Sequence, residues 1–317
     1  MRIVFCGSGQ FAVPSLRAVI QSGHQVSLVV TQPPRPSGRG VLVHQTPVAQ
    51  AALEAGLNLG EMKNINAPES VEAIRQAVPD AIVVVDFGQM VRAAVRQTAP
   101  LGAFNLHGSL LPELRGAAPV NWAIIRGYQK TGVTTFSLVD KMDAGAMYLQ
   151  DEKPITPRTT AQELRHELAD VGACLVVRTL SLLASGSAQG IIQDESRATL
   201  APRLTKADGW IDWTQPAGAV RNRIHGTWPW PGGHALLQRT NGEVMPVIIA
   251  RADVFDGQCE EPGLLDGQLR VSTGSGKISI VEVLPAGKKL MEWKAFVNGY
   301  RPQPGEKFVA PPDESKQ

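Results

Sequence analysis

The sequence predicts an α/β protein in which a Rossmann-like, parallel-rich sheet domain is followed by a small β-barrel. The first observation is the order of elements at the N-terminus: an apolar strand over residues 2–6, a helix over 11–21 and a second strand over 24–31, with short joints. Parallel neighbours need such a crossover, and it is right-handed in nearly every sheet. The second is a change of composition where Ser185-Gly186-Ser187-Ala188-Gln189-Gly190 ends a long helical pattern. Beyond about residue 205 the chain turns to short strands and Gly-rich turns, and five of its six tryptophans lie there. The third is the length of 317 residues, which favours two domains over one. The expected boundaries are 1–186 for the sheet domain, 187–205 for a linker and 206–317 for the barrel.

Taken in order, the elements rest on local signals. Pro14 is tolerated in the first turn of the 11–21 helix, and Gly23 closes it. Gly7-x-Gly9-x-x-Ala12 matches a dinucleotide fingerprint, but no acidic residue closes the second strand to hold a ribose hydroxyl, so nicotinamide is not expected. The turn is instead expected to aim backbone N–H groups from a helix N-terminus at some substrate. Residues 32–40, Gln-Pro-Pro-Arg-Pro-Ser-Gly-Arg-Gly, are too rich in Pro and Gly for regular structure and read as a binding loop with two arginines. Thr46 and Pro47 open a helix that Gly56 ends. A helix over 68–77 leads to the β-branched, buried strand 81–85. A turn at 87–91 enters a helix that reaches Arg96, then come a strand over 102–107 and a short helix over 119–126. Strands over 131–139 and 146–154 are expected to be antiparallel, because the joint through Asp143-Ala144-Gly145 is short. The helix over 159–183 carries Leu164, Leu168, Val171, Leu175 and Leu182 at helical spacing, and Thr159, Thr160 and Glu163 resemble a capping box. The barrel is expected to contain a helix over 215–225 and strands at 247–250, 269–272 and 277–283.

An apolar content of 43% with 19% charged residues is ordinary for a globular chain. No run approaches the roughly 18 apolar residues of a membrane helix. The N-terminus enters a strand at once, without a signal-peptide pattern, and Cys6, Cys174 and Cys259 lack any metal or redox spacing. A cytoplasmic protein with reduced thiols and no metal is therefore expected. Residues 1–53 contain no Asp or Glu against Arg2, Arg17, Arg35 and Arg39; residues 54–204 carry 14 basic and 16 acidic groups, and the rest 13 of each. An acid-free stretch suits a face turned to a polyanion, although segments rich in strand and turn are poor in acids anyway.

The chemistry concentrates at the end of the 102–107 strand. Asn105 and His107 stand two apart, so their side chains share a face, while Leu106 points into packing. The following strand pair brings Asp143 to the same end. A neutral imidazole takes a proton from a nucleophile, a carboxylate fixes its tautomer or stabilises the imidazolium, and an amide donates to an oxygen that gains charge. The trio fits acyl transfer to an amine without a covalent enzyme intermediate; a histidine that serves only packing fits the same spacing. There is no Gly-x-Ser-x-Gly elbow, and nothing marks Ser109 as a nucleophile.

Asn105-Leu106-His107-Gly108-Ser109-Leu110-Leu111-Pro112, Arg115-Gly116-Ala117-Ala118-Pro119 and Asp143-Ala144-Gly145 together resemble the central motif of the folate-dependent formyltransferases. Four further stretches extend the likeness over residues 1–310, toward the branch of that family that acts on initiator tRNA. They are Gly7 to Leu16, the loop at 31–40, Ile211-Asp212-Trp213, and Pro285-Ala286-Gly287-Lys288-Lys289 through Gly299. The resemblance implies a formyltransferase domain with an OB-like, tRNA-binding barrel behind it. It implies transfer of a formyl group from 10-formyltetrahydrofolate, as co-substrate, to the α-amino group of methionine on initiator methionyl-tRNA. A monomer that needs neither metal nor membrane is expected. His107 would be the base toward the amine, Asn105 would hold the formyl oxygen, and Asp143 would orient His107 or relay a proton. The folate would lie between Phe87, Gly88, Gln89 and Met90 on one side and Ser109, Leu110, Leu111 and Pro112 on the other. Arg35 and Arg39 would meet the acceptor stem, with Lys288 and Lys289 on the tRNA backbone.

Three positions depart from the family's pattern. Val41-Leu42-Val43-His44 stands where lysines are usual, Asp86 where a small residue is commoner, and Ala146 where an acid often follows Gly145. The alternative reading is a sugar-nucleotide N-formyltransferase with the same folate donor, against which the Pro/Arg/Gly loop speaks.

Overall fold

The computed structural model describes residues 1–37 and 42–309. In chain order its elements are β1 (Arg2–Gly7), α1 (Val13–Gln21), β2 (Gln25–Thr31), β3 (Arg35–Ser37), β4 (Leu42–His44), α2 (Pro47–Glu54), β5 (Leu59–Glu61), α3 (Pro68–Gln76), β6 (Ala81–Val85), α4 (Ala93–Arg96) and β7 (Ala103–His107). There follow α5 (Pro119–Ile125), β8 (Lys130–Ser137), β9 (Met147–Pro154), α6 (Ala161–Ala184), α7 (Ala217–Thr227), β10 (Gly233–Gln238), β11 (Val244–Phe255), β12 (Val271–Ser272), β13 (Lys277–Pro285), β14 (Met291–Glu292), α8 (Trp293–Tyr300) and β15 (Lys307–Val309). The chain divides into two compact units. One is Met1–Pro119 with Thr131–Lys153 and Arg165–Ala201; the other is Val120–Lys130, Pro154–Leu164 and Pro202 onward.

The first unit is built on a seven-stranded sheet in the order β5-β2-β1-β6-β7-β8-β9. Its pairings from β5 to β7 are parallel, and β8 runs antiparallel to β7. Parallel strands are covered on both faces and read as continuous apolar runs, as β1 and β6 do. Val4, Cys6, Ile82 and Val84 share one face with Val71 and Ile74 of α3, and every residue of β6 is buried. Burial pushes the Cys6 thiol far above its usual range, so it is an inert packing group. Thr46 caps α2 by accepting the Ala49 N–H at 3.1 Å.

Two expectations are revised. The Pro-rich loop is not wholly irregular, because β3 and β4 pair as an antiparallel hairpin with Arg35 opposite His44. The stretch expected to be a linker is fastened to the first unit as far as Ala201. Ile191 bridges Met147, Arg115 donates to the Thr199 carbonyl at 2.8 Å, and Ala201 donates to the Arg115 carbonyl at 2.7 Å.

The second unit is a barrel of strands in the order β12-β13-β11-β10-β15, with β14 on β13. Gly263 to Leu265 closes the ring. Gly263 donates to the Ser272 carbonyl at one edge and accepts from Phe308 at the other, both at 2.8 Å. Only glycine fits position 263, where φ is +89° and a Cβ would collide with the Phe308 carbonyl. The interior packs Val220 and Ile224 of α7 with Ile249, Ile280, Phe296 and Phe308, and Trp213 stacks on Phe308 with centroids 5.5 Å apart. The capping box at α6 is formed: Glu163 accepts from both the N–H and the hydroxyl of Thr160.

The ladder between β11 and β13 slips on either side of Arg251, and the Ala252 N–H donates to Nε2 of buried His225 at 3.1 Å. Burial, reinforced by the positive charges of Arg251 and Arg221, brings the His225 pKa down to about 4. The unfolded chain then binds the extra proton throughout the interval from an ordinary value near 6.5 down to about 4. Stability is therefore fully present above the unfolded value and is lost as pH falls through that window, by on the order of 3 kcal/mol in total. Urea unfolding measured between about pH 7 and about pH 4.5 should show this loss, and His225→Gln, which keeps an acceptor without titrating, should flatten it. Parallel curves for the two proteins would remove His225 as the cause.

Candidate active site

The candidate site lies at the carboxyl ends of β6 and β7, where ligands bind in open α/β sheets. Leu106 packs against Gly172 of α6, so closely that a Cβ on Gly172 would meet the leucine side chain. That helix occupies one face of β7, which leaves Asn105 and His107 together on the other. The half-buried Asn105 amide has no hydrogen bond among the described residues.

His107 is buried, and its Nε2 lies 2.9 Å from the Leu114 carbonyl. A carbonyl only accepts, so Nε2 carries the hydrogen and Nδ1 of the neutral ring is a bare lone pair. That Nδ1 stands 3.8 Å from Oδ2 of Asp143, too far for a hydrogen bond but close enough for ionic attraction once Nδ1 is protonated. The same Oδ2 accepts the Gly116 N–H at 2.8 Å. The bond that orients the imidazole thus comes from a backbone carbonyl, and Asp143 faces its basic nitrogen.

Both groups facing His107 sit on left-handed backbone, Leu114 at φ 60° and Asp143 at φ 50°. A non-glycine residue there costs about 1–2 kcal/mol and persists only where its surroundings over-determine it. The fastened 191–201 segment supplies the constraint. Thr199 Oγ1 accepts the Leu114 N–H at 2.8 Å. Buried Arg115 donates twice to Gln193 Oε1, at 3.1 and 2.7 Å, and Gln193 Nε2 donates to the carbonyls of both Asp143 and Gly145 at 2.8 Å. Glu195 receives two bonds from Arg115 and one from Lys141, which bring its carboxyl down to about 2. Gly145 is required, since a Cβ would collide with the Ser137 carbonyl. Gln193 and Thr199 lie in a segment without apolar periodicity, and nothing local in the sequence marks them.

The residues expected to line a folate site are divided in their surroundings. Phe87 is in the core, and its carbonyl accepts from Gln32 at 2.7 Å. The Gln89 side chain is spent on the Ile65 N–H and the Met62 carbonyl, both at 2.9 Å. The N–H and C=O of Gly88 and Gln89 make no hydrogen bond among the described residues, and Met90 is 44% exposed. Thr134 shapes the 109–112 turn: its hydroxyl donates to the Ser109 carbonyl at 2.7 Å and accepts the Leu111 N–H at 3.1 Å. Ser109 Oγ donates to the Glu113 carbonyl at 2.6 Å, so it is engaged structurally. Leu111 and Pro112 are buried, and Leu110 is half-buried.

Arg35 lies in the β3–β4 hairpin, Arg39 falls outside the described residues, and Lys288 and Lys289 are exposed in the turn after β13. Contrary to expectation, the glycine turn after β1 does not present the Ser8 and Gly9 N–H groups as free donors. The Ser8 and Gly9 N–H groups both donate to the Asp86 carbonyl at 3.1 Å, and a Cβ on Gly9 would collide with the Asp86 carboxylate. That carboxylate pairs with Arg165 at 2.9 Å. Asp86 therefore serves the strand end, which explains the departure at this position. Ala146 packs against Gly190, where a Cβ would lie 2.9 Å from its own.

Comparison with known proteins finds similarity over both parts of the chain. The family described as formyl transferase matches residues 1–180, and the formyl transferase C-terminal domain matches residues 203–301. The methionyl-tRNA formyltransferase of Solibacter usitatus is 42% identical over 310 residues, covering 97% of this chain and 98% of that protein. That of Moorella thermoacetica is 40% identical over 312 residues, covering 96% and 98%. A solved sugar 3N-formyl transferase, crystallised in the presence of dTDP and 5-N-formyl-THF, shares the fold with a TM-score of 0.65 at 16% identity, covering 91% of this chain and 99% of that one. The chain belongs to the formyl transferase family and, within it, to the methionyl-tRNA formyltransferases.

Proposed function

We propose that this protein formylates the α-amino group of methionine on initiator methionyl-tRNA, with 10-formyltetrahydrofolate supplying the formyl group. The observation that carries the reading is the fixed tautomer of His107: Nε2–H is committed to Leu114, and the basic Nδ1 looks toward Asp143 beside an amide without a partner. In this reading Nδ1 takes the proton of the attacking amine, and the imidazolium so formed faces the Asp143 carboxyl, whose Oδ2 accepts the Gly116 N–H. The Asn105 amide donates to the formyl oxygen as charge gathers on it. The open backbone groups of Gly88 and Gln89 fit the hydrogen-bonding edge of a pterin, with Met90 offering apolar surface. Ser109, Leu110, Leu111 and Pro112 form the facing wall.

The domain that does the chemistry would be residues 1–186 together with the fastened stretch as far as Ala201, with the tRNA-binding barrel at 206–317. Arg35, Arg39, Lys288 and Lys289 are the proposed contacts to tRNA phosphates. The protein would act as a monomer in the cytoplasm, a reducing compartment that suits the exposed free thiols of Cys174 and Cys259.

Incubation with 10-formyltetrahydrofolate and methionyl-initiator-tRNA should give formylmethionyl-tRNA, whereas a UDP-amino-sugar in place of the tRNA should give no product. His107→Ala should lower kcat by about 10²–10⁴-fold while the protein stays folded and still binds tRNA. Activity within a few-fold of the parent would remove His107 as the base. Gln193→Ala should lower kcat with little change in KM for tRNA and should alter the pH–rate profile, as expected of a residue that positions Asp143; Gln193→Glu should not rescue it, since the donor is lost. An unchanged profile would reduce Gln193 to a stability role. Arg39→Ala should raise KM for the charged tRNA and leave KM for the folate unchanged, and equal effects on both would count against the loop as a tRNA contact.

A further inference from the structure

We propose that the second unit holds a binding site for a phosphoryl group, in the cavity between the end of α5, the turn after β9 and helix α7. The cavity has a volume of about 60 Å³, and Gln129, Thr156, Thr159, Arg221, Asn222 and His225 are among its lining residues. A single water needs only roughly 10–15 Å³ of such space.

Arg221 supplies the charge. Its half-buried guanidinium bonds to Asn222 Oδ1 through Nε at 3.3 Å and Nη2 at 2.8 Å, and no carboxylate lies within 4.0 Å of it among the described residues. The acids of this region are already matched, Asp253 with Arg158 at 3.2 Å and Glu163 with Arg251 at 2.6 Å. Burial lowers the Arg221 pKa by more than the nearby Asp253 charge raises it, as for a cation held out of water with only partial counter-charge. An anion in the cavity would provide that charge.

His225 supplies a fixed donor. It is 1% exposed, and its Nε2 accepts the Ala252 N–H, so the hydrogen of the neutral ring is on Nδ1. That Nδ1–H has no hydrogen-bond partner among the described residues, and it is not among the fully enclosed unpaired atoms. With its other nitrogen tied to β11, the ring turns an unused donor to the cavity it lines. Thr156 and Thr159 share one hydroxyl–hydroxyl bond of 2.7 Å, which leaves a second hydroxyl hydrogen to give. Gln129 spends one amide hydrogen on the Gly127 carbonyl at 3.1 Å and keeps the other. Donors on three segments that line one cavity suit the several oxygens of a phosphoryl group better than the two of a planar carboxylate. The group could belong to free phosphate or to a phosphodiester of a nucleic acid.

Inorganic phosphate titrated into the full chain in phosphate-free buffer should move the His225 ring ¹⁵N signals saturably, and Arg221→Met should weaken that binding by at least about tenfold. Arg221→Lys, which keeps the charge, should recover part of it. The folded state of each variant is checked by thermal unfolding, and the phosphate measurement needs neither folate nor tRNA, so it stands apart from the proposed formyl transfer. Binding of initiator tRNA across a salt series separates the sources. If the ligand is a phosphodiester, Arg221→Met lowers tRNA affinity and reduces the salt slope by about 0.9. If it is free phosphate, tRNA binding is unchanged while phosphate binding is lost. No saturable shift in the parent protein, or equal phosphate binding by parent and Arg221→Met, would overturn the proposal.

Discussion

The hydrogen bond from His107 Nε2 to the Leu114 carbonyl is the constraint on which the candidate site depends. It settles the tautomer, and the tautomer settles which nitrogen can act as a base. That carbonyl is presented by a leucine in left-handed backbone, a conformation a β-carbon resists, so it needs support from elsewhere. The support comes from residues 193–201: Thr199 holds the Leu114 N–H, and the Arg115–Gln193 pair holds the turn that carries Asp143. A segment remote in sequence therefore sets the geometry on both sides of one imidazole. The energy of any single bond here is modest, about 1 kcal/mol net, but loss of one leaves buried groups unpaired, which costs more than the bond was worth.

The glycine turn after β1 illustrates the reverse case, a motif whose form is kept while its donors are taken. Gly7 and Gly9 allow the tight turn of a nucleotide-binding unit, yet the N–H groups that would meet a phosphate donate to Asp86 instead. Asp86 is itself in left-handed backbone, and its side chain is drawn to Arg165, which in turn lies over the Phe11 ring at 5.6 Å. The switch point between β1 and β6 is thereby closed from within by the protein's own carbonyl and carboxylate. The open polar groups lie farther along, at Gly88, Gln89 and Asn105, and the proposed folate position follows from that displacement.

Much of the first unit was legible because its signals are local. The β-branched run at 81–85, the two-residue alternation of Asn105 and His107, and the cap at Thr46 each depend on a few neighbours in sequence. The strands of the barrel were harder to read for physical reasons. β10 is Gly-His-Ala-Leu-Leu-Gln, without a β-branched residue, and β15 has three residues. β10 has little strand propensity of its own, β15 is too short to stand out, and both are held by partners across the sheet and by the Gly263–Leu265 closure. β11 continues through Arg251 and Asp253, polar residues that would end a strand in isolation but here pair with Glu163 and Arg158. In the candidate site, the nearness of His107 to Asp143 was legible, whereas the direction of the imidazole was not, because it depends on contacts 85 residues apart between Leu114 and Thr199.

The two buried histidines show how a single backbone group decides what the same side chain can do. His107 meets a carbonyl at Nε2, so its second nitrogen is a lone pair facing an acid; His225 meets an N–H at Nε2, so its second nitrogen is a donor near an arginine. The first arrangement leaves a lone pair 3.8 Å from the Asp143 carboxyl. The second opposes protonation, since burial and the charges of Arg251 and Arg221 lower the His225 pKa and keep the ring a neutral donor. Residue identity is silent between these outcomes. A lone pair and a donor at the second nitrogen are separated by whether the chain turns an oxygen or a hydrogen toward Nε2, and that is a property of the fold around each ring.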